Sequence, residues 1–321
     1  MNKDYLFKTL KIVVAAVLAI IVAGEIGLKY YPTAGIITVL SIQNTKRETL
    51  KTALNRACSY LCAIVLAAGA YYLMGFTLWA FGVYLFIFVL LCMVVGWKDG
   101  IVMNSVLVTH FMTEQSMTWP LILNETLLFV IGVGFGIIIN LHLKRKGDVF
   151  ERSAAEVDNQ IKKILCIIAE QLKQVELNAT AKEEFEKLHG LLDKAKHCAV
   201  ENYNNNLRKP DETELDYIRM REHQSDVLED IEESVKMLKC FPKQSEQVAE
   251  LFNRTEQCFH KDNTVEELLA DLEGLFGDMK SQMLPQTRDE FEARAILFYI
   301  LMQMKSLLQI KRDFVLENIR R

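Results

Sequence analysis

The side chains able to do chemistry in the first half of this sequence are few and isolated. Gln43, Asn44, Asn104 and His110 sit within or beside apolar runs. A polar group facing lipid at such a place is expensive, so these side chains are expected to face the protein interior or a water-filled cavity. The functional reading for all four is contact with a substrate. The alternative is a hydrogen bond between helices that only holds a bundle together. An imidazole whose ordinary pKa is about 6.5 also changes charge readily near neutral pH. Lys46, Arg47, Lys51 and Arg56 follow the two amides directly. Lining a recess, they would concentrate anions at its mouth; as simple flanks of a membrane segment they would carry the same sign. Glu25 and Glu125 near the ends of apolar runs join His110 as candidates for proton coupling, although Glu25 is also four residues before Lys29, a favourable helical pairing.

The elements that must hold these residues are apolar segments, drawn at 6–28, 33–43, 57–74, 76–95, 101–112 and 120–141. A spanning helix needs about 20 apolar residues. The runs 35–43 and 100–112 fall short, and each opens on a glycine. Each is the middle member of a trio, and paired short segments in matching halves point to a substrate site near the midplane. Two trios of opposite orientation suggest an inverted repeat of three plus three. At about 1.5 Å per helical residue, His110, Gln43 and Asn44 count to roughly mid-depth. The basic start of the first segment resembles a signal peptide, but no A-x-A site follows it, so the segment reads as uncleaved.

Lys and Arg in short loops set the orientation. With the N-terminus in the cytoplasm, Lys3, Lys8, Lys11, the 46–56 cluster, Lys98, Lys144, Arg145 and Lys146 all fall inside, and Lys29 alone falls outside. Tyr30, Tyr31, Tyr71, Tyr72, Trp79 and Trp119 then mark the outer boundary and Trp97 the inner one. This predicts a multi-pass plasma-membrane protein with both termini cytoplasmic.

Charged residues are sparse before Lys144 and dense after it; the first part is net basic, and the overall excess of acid behind the chain's net charge of −4 resides in the second part. The division predicts a six-helix transmembrane domain over 1–145 and a cytoplasmic helical domain over 146–321. One stripe runs through Val157, Ile161, Ile164, Ile168, Leu172 and Val175, and another through Phe291, Phe298, Leu301, Met304 and Leu308. Pro210, Pro242 and Pro285 punctuate the segment, with a polar break at 202–206. Four to six antiparallel helices are expected. His189, His197, His223 and His260 match no metal spacing. The seven cysteines show no metal-like pairing; Cys58-x-x-x-Cys62 reads as small core residues, and nothing suggests disulfides, which places the soluble part in a reducing compartment. No GxxxxGK[ST] loop is present, so nothing points to ATP drive, a cofactor or an enzyme.

Several stretches resemble the bacterial aromatic acid exporter family, a branch of the fusaric-acid-resistance-like membrane proteins. They are Ala34-Gly35-Ile36, Ser41-Ile42-Gln43-Asn44-Thr45-Lys46, Arg56, Gly100-Ile101-Val102, Ser105-Val106, His110, Asn124-Glu125 and Gly132. Leu54 departs from the pattern, where the family has an aromatic two places before the basic residue. The resemblance spans essentially the whole chain and matches Gram-positive members with a helical cytoplasmic domain. It is also distantly similar to plant aluminium-activated malate transporters, which are dimeric anion channels. It implies a homodimer in the bilayer that exports aromatic or other organic carboxylates, with no nucleic-acid partner. Two rivals remain at this point: a passive organic-anion channel, and a membrane-anchored interaction or sensor protein that transports nothing.

Overall fold

The computed structural model describes residues 3–141, 147–174, 181–207, 211–259 and 265–320. Lys144, Arg145, Lys146, Val175, Pro210 and His260 lie outside them, as do the two chain ends. Among the described residues there are twelve α-helices and no strand. The chain divides into two compact units, Met1–Arg145 with Asn204–Lys209, and Lys146–Tyr203 with Pro210–Arg321.

The first unit holds α1 (Lys3–Glu25), α2 (Pro32–Ser41), α3 (Lys46–Met74), α4 (Leu78–Val95), a 3-10 turn (Lys98–Gly100), α5 (Ile101–Thr113) and α6 (Trp119–Leu141). Three of these, α3, α4 and α6, are long and apolar enough to cross a membrane by length and composition. The 10 residues of α2 extend only about 15 Å, well short of a hydrocarbon core of about 30 Å.

Helix α3 begins at Lys46, eleven residues before the expected start at 57. The reason is local: Thr45 is extended, and its side chain accepts a hydrogen bond from the Glu48 amide at 3.3 Å, the N-cap arrangement that favours Ser and Thr before a helix. Thr77 caps α4 in the same way through Ala80. Gly96 ends α4 in the left-handed conformation at φ 86°, where a side chain would be strained.

Helix α2 is wedged between α1 and α6 by small residues. Ala19 and Ala23 of α1 are fully buried. A Cβ on Gly35 would lie 2.6 Å from Ile20, one on Gly132 2.4 Å from Ile37, and one on Gly136 2.5 Å from Ser41. The Gly132-x-x-x-Gly136 spacing thus lets two backbones approach closely. Elsewhere in the unit α3 and α4 present exposed apolar surface, as at Leu61, Val65, Phe86 and Val94.

The second unit holds α7 (Gly147–Leu172), α8 (Ala181–Asn205), α9 (Thr213–Lys236), α10 (Gln244–Gln257), α11 (Glu266–Ser281) and α12 (Arg288–Arg320). Val157, Ile161, Ile164, Ile168 and Leu172 form the buried face of α7 as expected. The α12 stripe is shifted. Ala293, Leu297, Ile300, Leu301, Met304, Leu307 and Leu308 face the core, while Phe291 and Phe298 are exposed. The buried series keeps the three- and four-residue spacing, and the two phenylalanines fall off it. Residues 202–205 complete α8 instead of breaking the chain. Pro242 and Pro285 precede α10 and α12. Arg221 is fully buried, paired with Asp158 at 2.9 Å and covered by the Phe259 ring.

Candidate functional site

The loops 26–31, 75–77 and 114–118 meet at one end of the first unit. Lys29 Nζ lies 2.7 Å from Glu114 Oε2, Lys29 and Asn124 exchange backbone and amide hydrogen bonds, and Gln115 Nε2 donates to the Phe76 carbonyl. Under this end lie His110, three residues before the end of α5, and Glu125, six residues past the start of α6. Nδ1 of His110 and Oε2 of Glu125 are 2.6 Å apart. Glu125 is wholly buried and His110 is 8% exposed. Asn124 Nδ2 donates to the second carboxylate oxygen at 2.9 Å. The Tyr30 ring lies parallel to the imidazole with centroids 4.1 Å apart. On the inner side, the Tyr60 and Thr126 hydroxyls are 2.9 Å apart.

A buried carboxylate needs paired charge or hydrogen bonds to be tolerated. Here both oxygens of Glu125 have partners, one of them titratable. These contacts hold the pair in a set geometry. Glu25 lies apart from it, exposed at the end of α1. The helix stops at Glu25, so the expected pairing with Lys29 gives way to the Lys29–Glu114 bridge. Lys29 donates a hydrogen bond to Glu114 and so holds that carboxyl below its usual range.

At the other end lie the loops 42–45 and 96–100. Arg56 is 5% exposed and points at three acceptors: Nε to the Asp99 carbonyl at 3.0 Å, Nη1 to Ser41 Oγ at 2.9 Å and Nη2 to the Leu40 carbonyl at 2.9 Å. Its charge thus meets the carbonyl-rich C-terminus of α2, where a cation is favoured. Asn104, fully buried, donates to Ser59 Oγ at 2.8 Å, with its Oδ1 unpartnered. Gly100 passes Ser59 so closely that a Cβ would lie 2.0 Å from its hydroxyl. Gln43 and Asn44 fall just beyond α2. The Gln43 carbonyl accepts from Asn140 Nδ2 at 2.7 Å, and the same Nδ2 donates to Thr49 Oγ1. Asn44, Arg47 and Lys51 are exposed and Lys46 half-buried.

The structure therefore sorts the sequence-derived residues into two groups. His110 and Glu125 form one; Arg56, Asn104 and Gln43 belong to the opposite end. Sequence reasoning missed Tyr30, Asn124, Asn140 and Ser59. For Asn124 and Asn140 there was a signal, since each is an amide inside an otherwise apolar helix. Among the described residues no group of three or more His, Cys, Asp or Glu is placed to hold a metal.

Residues 4–143 match the family described as "Aromatic acid exporter family member 1", and residues 148–312 match "Putative aromatic acid exporter C-terminal domain". The chain belongs to the aromatic acid exporter family. It is 28% identical over 308 residues to "Uncharacterized protein YqjA" of Bacillus subtilis (strain 168), covering 96% of this chain and 95% of that protein. It is also similar to a solved structure described as "Crystal structure of putative membrane protein from Clostridium difficile 630", with 25% identity, 51% of this chain and 97% of that chain covered, and a TM-score of 0.46. This is a membrane protein of a transporter family.

Proposed function

We propose that this protein is a proton-linked exporter of small organic anions, aromatic carboxylates first among them. In this reading α1–α6 cross the plasma membrane with both termini cytoplasmic, and the working unit is a homodimer. The observation that carries it is the contact between His110 and Glu125 inside an apolar helical unit. With Nδ1–H donated to Glu125, Nε2 of His110 is left to take a proton, and it makes no hydrogen bond among the described residues. Protonation there turns a net negative pair into a neutral one. A carboxylate arriving at Nε2 favours the protonated ring, so anion and proton binding are linked.

Lys46, Arg47 and Lys51 would gather the anion at the opposite end, with Gln43, Asn44 and Asn104 along its path. Arg56 takes a different part: it fixes the end of α2 against the turn before α5, and so shapes that mouth. The test is efflux from vesicles reconstituted with the full chain, against a panel of carboxylates with and without a proton gradient. Gradient-accelerated movement of an aromatic carboxylate is expected. Movement indifferent to the gradient, or single-channel currents, would replace this reading with a passive channel.

A further inference from the structure

Tyr30 is built into the first unit in an unusual way. Its backbone is left-handed, at φ 58°, a region that non-glycine residues rarely occupy and that clusters at clamps and switches. Its ring covers one face of His110. Its hydroxyl donates to Glu114 Oε1 at 3.2 Å, and the other Glu114 oxygen is bonded to Lys29. The loop carrying Tyr30 is tied down by Asn124, whose amide also bonds Glu125.

We propose that Tyr30 is the gate of the His110–Glu125 site at this end, with its ring closing the imidazole off and Glu114 and Lys29 latching it. An aromatic side chain that merely fills space needs neither a left-handed backbone nor a latch. The latch is an ion pair with Lys29 exposed, and such pairs are weak, so it opens at little cost. Asn124 joins the loop to the carboxylate. A change in how Glu125 is bonded is therefore felt by the loop, which lets the gate answer to the state of the pair. The proposal rests on the reading of His110 and Glu125 as the working site, but its test does not use transport.

Diethyl pyrocarbonate acylates accessible neutral imidazoles, and peptide mass spectrometry gives a rate for each histidine of the full chain in nanodiscs. His110 should react slowly, and exposed His197 of the same molecules supplies the fast reference. Y30A should speed His110 by roughly tenfold, as expected for a site whose closed state is removed. Y30F keeps the ring and loses the latch; E114Q keeps the ring and weakens it. Both should give intermediate rates and cover the case in which Y30A fails to fold. Equal His110 rates in the native chain and all three variants would overturn the gate, as would native His110 reacting as fast as His197. An unchanged transport pH profile in H110Q would overturn the proton-linked function, whereas the His110 acylation rates decide separately whether Tyr30 closes over the imidazole.

Discussion

Oε2 of Glu125 lies 2.6 Å from Nδ1 of His110, across the interface of two helices and away from solvent. The two residues are alternatives only as long as they are read singly. Joined by this contact, they are the single unit on which the proposed proton coupling rests.

Replacing His110 with Gln keeps a hydrogen-bond donor near Glu125 and removes the titrating ring. Transport should persist at reduced rate and lose its pH dependence between about pH 5.5 and 7.5. Efflux from reconstituted vesicles across that range measures it. A profile identical to the native one makes His110 a packing residue.

Glu125→Gln leaves the size and an acceptor for Nδ1–H but removes the negative charge. Stimulation by a proton gradient should disappear while the protein still purifies as a folded species. Glu125→Ala leaves the His110 ring N–H without its acceptor and takes from Asn124 one of its partners, and a buried polar group left unsatisfied costs about 1–3 kcal/mol. Its thermal midpoint should fall well below that of Glu125→Gln. Equal midpoints would mean that the hydrogen bonds at Glu125 contribute little.

The basic cluster should divide in two. Arg56→Met leaves Leu40, Ser41 and Asp99 acceptors unpaired inside the protein, at about 1–3 kcal/mol for each group that stays dry. It should lower the melting temperature at every salt concentration. Lys46, Arg47 and Lys51 changed together to Gln should melt normally and weaken transport most at low ionic strength, where screening is least. Thermal scans and salt-dependent efflux on both variants separate the roles; a shared phenotype refutes the division.

Glu184 in the second unit is buried and accepts from Lys187, Gln160 and Lys163, which together hold its carboxyl down to about 2. A lowered carboxyl contributes stability that is present above its ordinary pKa near 4.5 and is lost as pH falls toward 2. Glu184→Gln should therefore destabilise the full chain at pH 6 and narrow the gap to native at pH 3. Thermal unfolding at the two values tests this, and a gap that widens on acidification would contradict it.

Local signals predicted local features. Six apolar runs became six helices, and Thr45-Lys46-Arg47-Glu48 carried the capping spacing that explains the early start of α3. Relations between helices were not legible. That His110 meets Glu125, or that Arg56 turns back to Ser41, depends on how α2, α3, α5 and α6 rotate about their axes, and apolar runs exposed to lipid on one side and packed on the other carry little periodicity to fix that rotation. Glu25 and Lys29 show the converse, a favourable helical spacing that the end of α1 at Glu25 cancels.

The seating of α2 yields a prediction with an internal control. A methyl at Gly132 would sit 2.4 Å from Ile37 Cγ2 and 2.9 Å from the Ala34 carbonyl oxygen. One contact is backbone, so α2 itself must move, and overpacking of this kind costs about 1–3 kcal/mol. Gly134 is on the same helix, and a methyl there meets nothing within 4 Å. Both changes replace glycine with a better helix former, a gain of up to about 1 kcal/mol. Gly134→Ala should thus hold or raise the thermal midpoint of the purified protein, and Gly132→Ala should lower it. Because α2 leads directly to Gln43 and to the acceptors of Arg56, Gly132→Ala should also slow efflux at temperatures where it remains folded. If the two variants melt alike, α2 is not held by close approach to α6, and the small residues between them have another origin.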